Sequence, residues 1–386
     1  MDKSVFTANR RARDLGLNHW RLPPGPLNAI TDVAGVCVGH TTLIKGEGPL
    51  VRGRGPVRTG VTVVLPHAGN LFREKVRAAV YTINGFGKAC GFEEVRELGV
   101  IESPIALTNT LNVWRVADAL ANYTLYHNPE IGVSTSSFNA LVGECNDGYL
   151  NDIQGRHVHA NHVWAALETA SAGPVAQGCV GAGTGTSCFG WKGGIGTSSR
   201  ALAIPQRSDA TTPTQAFTVG CLVQSNFGRP EELLFGGVHV GRHLQPPPES
   251  KSALENDTGE KGSIMMVLAT DAPLDSRQLQ RLAVRAAAGL ARTGSHIGHG
   301  SGDFVIAFST AQRVHHWPDS LLTTHTALAD EPRAMQWLLP AVVECVEEAV
   351  LNSLCAAHTM RGRDDHVRHA LPLEQVAQLL QNPILS

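Results

Sequence analysis

The chain has 386 residues, 42% of them hydrophobic, with a formal net charge of -2. That length can bury a large core, and so even a charge balance leaves no electrostatic footprint for nucleic acid. No apolar run is long enough to span a bilayer, and the opening MDKSVFTANRRARDLGLNHW has no apolar signal-peptide core, so a cytoplasmic protein with no membrane partner is expected.

Residues up to about Trp20 read as an arm, with Arg10, Arg11 and Arg13 as a short solvated basic cluster. Strand-like runs follow at 33–38 and 60–65. A helical pattern fits 72–81, and another fits 112–126, with Val113, Val116, Ala117, Leu120 and Leu125 on one side. A short helix is expected at 164–170. The segment 178–200 is too rich in glycine for a helix and fits strands and tight turns, where backbone approaches backbone or ligand. Residues 217–224 form a strand. The polar, proline-rich stretch 244–262 reads as an exposed loop. It stops at Ser263, where the apolar run 263–270 reads as a buried strand. An amphipathic helix fits 276–292, with Leu279, Leu282, Ala283, Ala286 and Leu290 at helical spacing and Gly294 as its stop. A strand at 303–309, a long helix at 333–357 with Pro340 as a kink, and a terminal helix at 373–380 complete the chain. There is no internal repeat. β-rich segments interleaved with helices imply an α+β fold of sheets covered by helices.

The Gly262-Ser263 junction is the most informative point. A hydroxyl stands where a polar linker meets a core strand. If the bond before it were cut, Ser263 would carry both a nucleophilic oxygen and a free α-amine of pKa roughly 7.7–8.0, a known way to activate a hydroxyl. Glycine before it suits cleavage, since it tolerates strained dihedrals. Glu144, in the turn-like sequence 143–148, can anchor an ammonium or be satisfied by backbone N–H groups. Asn226 ends an apolar strand, and its amide can stabilise an oxyanion or shape the turn. Ser301 and Asp303 lie in a glycine loop, with His296 and His299 as nearby candidate bases. The eight cysteines include no C-x-x-C pair and read as buried apolar residues, Cys145 being the one considered as a thiol nucleophile. His157, His159 and His162 have a spacing that can bind metal, but no matched carboxylate or cysteine supports it, and surface histidines are favoured. The run 181–186 lacks the lysine of a phosphate loop and the third glycine of G-x-G-x-x-G.

Together these segments resemble the L-aminopeptidase/D-amino-acid esterase-amidase family, which includes the β-peptidyl aminopeptidases. The matching blocks are 28–33 with 38–40, 108–110, 143–144, 181–185, 189–200 (FGWKGGIGTSSR), 224–228, 262–264 and 300–303, in family order. The resemblance implies self-cleavage before Ser263 into an α fragment, 1–262, and a β fragment, 263–386, that stay together as one catalytic domain. It implies a four-layer αββα sandwich like that of N-terminal nucleophile hydrolases, with different connectivity. It also implies a homotetramer of αβ pairs, no metal and no organic cofactor. Ser263 matches the nucleophile, Asn226 the oxyanion asparagine, and Glu144 the carboxylate that holds the substrate's amino group. Ser301 and Asp303 match the pair that assists proton transfer, although the β-peptidyl branch has a longer glutamate at the position of Asp303. Two residues after the glutamate the α-peptide-cleaving type has tyrosine. This chain has Asn146, as in the β-peptidyl branch. The expected function is a serine aminopeptidase or amidase acting on short peptides, amides or esters, leaning towards β-amino acid N-termini. An ornithine-acetyltransferase-like enzyme would use threonine as nucleophile, which Ser263 opposes. A non-catalytic binding protein of the same fold would keep an intact chain.

Overall fold

In chain order the strands are β1 (Cys37–Lys45), β2 (Val57–Leu65), β3 (Glu74–Gly85), β4 (Val100–Ile101), β5 (Ile105–Asn109), β6 (Leu141–Cys145), β7 (Ser187–Cys188), β8 (Trp191–Lys192), β9 (Ile195–Pro205), β10 (Thr214–Asn226), β11 (Lys261–Thr270), β12 (Gly300–His315), β13 (Met360–Arg361) and β14 (Val367–Arg368). The longer helices are α1 (Phe92–Leu98), α2 (Val113–His127), α3 (Ala160–Glu168), α4 (Ser276–Ala291), α5 (Glu331–Cys355) and α6 (Leu373–Gln381). The computed structural model describes residues 10–206, 213–248 and 261–381.

A four-stranded sheet, β1-β2-β5-β6, stacks on a six-stranded sheet, β4-β3-β12-β11-β10-β9. Val38, Leu107 and Leu141 of the smaller sheet meet Met265, Val267, Phe304 and Ile306 of the larger one in the layer between them. The outer face of the small sheet (Val61, Val63, Ala106) is covered by Val116 and Leu120 of α2 and Val163 of α3. The outer face of the large sheet (Ile264, Met266, Val305) packs on Leu279 and Leu282 of α4 and Val342 and Val346 of α5. The expected αββα sandwich is therefore present.

Strand β11 explains its own sequence. It lies between β10 and β12, parallel to β12, and both of its faces are covered. A strand buried on two sides needs no polar alternation, and Ile264 to Leu268 are all 0–2% exposed. The sheets close tightly over it: a Cβ on Gly143 of β6 would lie 2.2 Å from Met265 Cε, so a larger residue there would have to displace the Met265 side chain.

Several sequence readings need correction. Residues 72–81 are not helical; Glu74–Gly85 is strand β3, antiparallel to β12. Val76, Val80, Thr82 and Ile83 are β-branched, and pairing with β12 along its length outweighs a weak helical period. The first strand begins at Cys37, because 33–36 form a turn in which Val36 N donates to Val33 O at 3.1 Å. From residue 10 onward the N-terminal arm is docked rather than solvated: Ala12 and Leu15 are buried, and Arg13 pairs with Glu348 at 2.7 Å. The cause is α5, whose buried Glu344, Glu347 and Glu348 require cations and donors. Strand β11 begins at Lys261, so the Gly262-Ser263 junction lies inside a strand. The predicted exposed loop falls mostly on 249–260, outside the described residues. Helix α5 runs through Pro340. The short helix expected at 164–170 is α3, which begins at Ala160.

Candidate active site

The ladders bring Ser263, Asn226 and Gly302 level with one another, Ser263 pairing with Asn226 on one side and with Gly302 on the other. Side chains directly opposite on neighbouring strands share a face, and Asn226 Nδ2 donates to Ser263 Oγ at 3.3 Å. The orientation of the amide is set behind it: Asn226 Oδ1 accepts from Ser187 N at 2.9 Å, which turns the nitrogen towards the serine. A second donor comes from the smaller sheet. Asn146 N lies 3.4 Å from Ser263 Oγ. Ser263 itself is 4% exposed.

Glu144 lies in β6, not in a turn, and is buried. The chain after β3 runs back antiparallel to β6, bridging Cys90 to Val142, and this register presents Lys88 N to Glu144 Oε1 at 3.0 Å. Asn109 caps the turn after β5 by accepting from Asn112 N, which brings Thr110 Oγ1 to donate to Glu144 Oε2. Burial raises the Glu144 carboxyl above its ordinary range, opposed by the hydrogen bonds from Thr110 and Lys88 and by the Lys88 charge. Asn146 is exposed, its Oδ1 accepting from Gly148 N at 2.8 Å. Beside it, burial pushes the Asp147 carboxyl up to about 7 against hydrogen bonds from its neighbours.

Ser301 and Asp303 open β12 and are both buried. Ser301 Oγ donates to Asp303 Oδ1 at 2.6 Å. The pair stands by the Gly262 end of the junction: the ladder pairs Gly262 with Ser301, and a Cβ on Gly262 would lie 3.3 Å from Ser301 Oγ. Asn84 Nδ2 donates to the carbonyls of Gly298 and His299 at 3.1 Å each, and to that of Ser301, tethering the segment.

The other candidates stand apart. His296 pairs with Glu232 at 3.2 Å, and His299 is exposed. His157 binds Asp152 at 3.0 Å, and His162 Nδ1 accepts from His159 N to cap α3. Among the described residues no group of three or more His, Cys, Asp or Glu is placed to hold a metal ion, and no helix is long and apolar enough to cross a membrane. Cys145 is fully buried, donates to Gln224 O at 3.2 Å, and has its thiol pushed well up by burial, so it is no thiolate nucleophile. The sequence alone assigns no role to Thr110, Ser187 or Asn84. Thr110 lies in the Thr108-Asn109-Thr110 block, which was a signal. The backbone donors Lys88 and Asn146 carry none, since a main-chain N–H belongs to every residue type but proline.

The model of peptidase family S58 matches residues 28–368. The chain is 40% identical over 380 residues to the beta-peptidyl aminopeptidase BapA of Sphingosinicella xenopeptidilytica, covering 97% of this chain and 92% of that protein. Its structure is similar to that of the PH0078 protein from Pyrococcus horikoshii OT3, at 47% identity and TM-score 0.87, with 97% of this chain and 99% of that one covered. It is also similar to the L-aminopeptidase D-Ala-esterase/amidase of Ochrobactrum anthropi, described as a new variant of the Ntn hydrolase fold, at 37% identity and TM-score 0.85 over 97% and 99% of the two chains. The protein is thus a hydrolase of the aminopeptidase and amidase kind with an Ntn-type sandwich. It belongs to peptidase family S58.

Proposed function

We propose that the chain is a self-processing serine aminopeptidase in which Ser263 becomes the N-terminal nucleophile. The observation that carries this is the meeting of two N–H donors, Asn226 Nδ2 and Asn146 N, at Ser263 Oγ, with the buried Glu144 two residues before Asn146. Processing hydrolyses the Gly262–Ser263 amide: water adds across the bond, Gly262 takes the carboxyl group and Ser263 the amine. The Ser301–Asp303 pair lies beside that bond, a position suited to move a proton to and from the amine.

In turnover, Ser263 Oγ attacks the acyl carbon of a bound N-terminal amide or ester, and its proton passes to the α-amine or to the Ser301–Asp303 pair. The carbonyl oxygen becomes an oxyanion, which Asn226 and the Asn146 main chain stabilise. One such donor is worth roughly 2.7–4 kcal/mol. The leaving amine or alcohol takes a proton as the C–N or C–O bond breaks, and water then hydrolyses the acyl-serine ester. Glu144 holds the substrate ammonium and so selects free amino termini.

Two features favour β-amino acid substrates. Asn146 is short and folded back onto Gly148, leaving room at the substrate's amino end, and the similar Sphingosinicella protein is named a beta-peptidyl aminopeptidase. Assembly as four αβ pairs belongs to the same reading. Intact-mass spectrometry of the denatured protein tests it: wild type is expected as two fragments, the smaller beginning at Ser263, and Ser263→Ala as one inactive full-length chain. A Ser263→Ala protein that hydrolyses substrate at the wild-type rate would remove the nucleophile.

A further inference from the structure

The segment after α5 is bound into the site from outside. Gly362 packs against Leu150, where a Cβ would lie 2.1 Å from Leu150 O. Arg363 N donates to Leu150 O at 2.9 Å, and Arg363 Nε to Gly148 O at 2.7 Å. His366 bonds to Tyr149 O at 2.9 Å and stacks on the Tyr149 ring, centroids 4.6 Å apart. Arg368 also holds its guanidinium carbon over the same tyrosine ring, 3.7 Å from its centre. These residues thus clasp the loop that follows Glu144 and Asn146.

The same segment also reaches the donor on the opposite wall. Arg368 Nε donates to Ser187 Oγ at 3.0 Å. Ser187 N donates to Asn226 Oδ1 at 2.9 Å, and Asn226 Nδ2 donates to Ser263 Oγ at 3.3 Å. The partner strand of the small β7–β8 hairpin is tied as well, since Lys192 N donates to His369 O at 2.8 Å. Arg368 is 8% exposed. A planar guanidinium that stacks with one face and donates with one edge is a rigid spacer. It sets the distance between the Tyr149 loop, which follows the Asn146 donor, and the Ser187 hairpin, which orients the Asn226 donor.

We infer that Arg368 is a positioning residue for the reaction: through Ser187 it holds Asn226 with its amide nitrogen turned to Ser263, and through Tyr149 it holds the loop carrying Asn146 at the matching distance. The inference rests on the proposed role of Asn226. It gives the segment 360–369, which would belong to the fragment released at Ser263, a function in aligning residues of the other fragment. Group placement of this kind acts on the transition state, where a misplacement of about 1 Å can cost as much as 100-fold.

The test is a double-mutant cycle on the cleaved, full-chain protein, reading kcat and KM separately with an aminoacyl amide. Arg368→Ala is expected to lower kcat by about 10- to 100-fold with KM nearly unchanged. Ser187→Ala, which keeps its backbone N–H but loses the acceptor for Arg368, is expected to lower kcat in the same way and guards against an Arg368 variant that fails to fold. In an Asn226→Ala background Ser187→Ala is expected to cost little more, because the group it positions is gone, and Arg368→Ala is expected to cost less than it does in wild type, because only its hold on the Asn146 loop is left to lose. Wild-type kcat in both single variants, or a full multiplicative loss on top of Asn226→Ala, would overturn the inference while leaving Asn226 as an oxyanion donor. Wild-type kcat in Asn226→Ala alone would overturn that role and the inference with it.

Discussion

Glu144→Gln isolates the charge at the substrate's amino end. A carboxylate offers about four acceptor positions, and Lys88 N and Thr110 Oγ1 occupy two of them, leaving roughly two for an incoming ammonium. Glutamine keeps the volume. Its oxygen can still accept from Lys88 N, and the Thr110 hydroxyl can rotate to accept from the new amide, so the folded protein is expected to melt close to wild type. What disappears is the charge. A hydrogen bond to a charged group is worth about 1.5–3 kcal/mol, and at about 1.36 kcal/mol per decade kcat/KM for free amino termini falls roughly 10- to 150-fold. The loss belongs in KM, because the ammonium is bound alike in the ground and transition states. Burial raises the Glu144 pKa and only the ionised form pairs with an ammonium, so wild-type KM should climb as the pH falls through that raised value. The glutamine variant should lack the climb. The assay compares an aminoacyl amide with its N-acetylated counterpart across acid and neutral pH. A glutamine variant that still prefers the free amine as strongly as wild type would refute the assignment.

Asn146→Tyr places a ring where the asparagine is folded onto Gly148. It should move the ratio of β- to α-aminoacyl amide hydrolysis towards α by about tenfold or more, and an unchanged ratio would show that the side chain does not face the substrate. Glu94 has its carboxyl pushed up from 4.5 to about 7, by burial first and then by Glu102. Between those values the native state holds a proton that the unfolded chain has lost, so stability falls as the pH rises through this window. Glu94→Gln should therefore melt higher than wild type above pH 7 and alike below 4.5, and equal melting on the alkaline side would count against the shift. Arg200 is fully buried against Glu344 at 2.9 Å and Glu348 at 2.7 Å. Arg200→Ala leaves both carboxylates short of a partner and should cost about 3–5 kcal/mol in denaturant unfolding; a loss within error would mean that water enters to replace the cation.

Much of this protein was legible in one dimension. Helices α2 and α4 show their apolar stripes, because one covered face leaves a periodic record. Strand β11 shows as an unbroken apolar run, because two covered faces erase the alternation. The candidate residues Ser263, Asn226, Glu144, Ser301 and Asp303 stood out as polar groups at the ends of apolar segments or among glycines, within blocks that occur in family order. The strand at Glu74–Gly85 was missed because its residues fit a short helix equally well, and only pairing along β12 decides between them.

What only the tertiary structure decided is how those residues meet. Ser263 and Asn226 are 37 positions apart, and the register of β10 against β11 places them side by side. Asn146 directly follows β6 of the other sheet, so its main-chain N–H reaches Ser263 because that sheet stacks on β11, with Gly143 against Met265. Ser301 and Asp303 stand beside Gly262 because β11 and β12 run parallel with Gly262 opposite Ser301. The docking of Arg13 on Glu348 and the span of Arg368 from Tyr149 to Ser187 likewise have no local signature. Burial and periodicity are properties of a segment and are written along it. Register, sheet stacking and main-chain donors are relations between segments, and they exist only once the chain has folded.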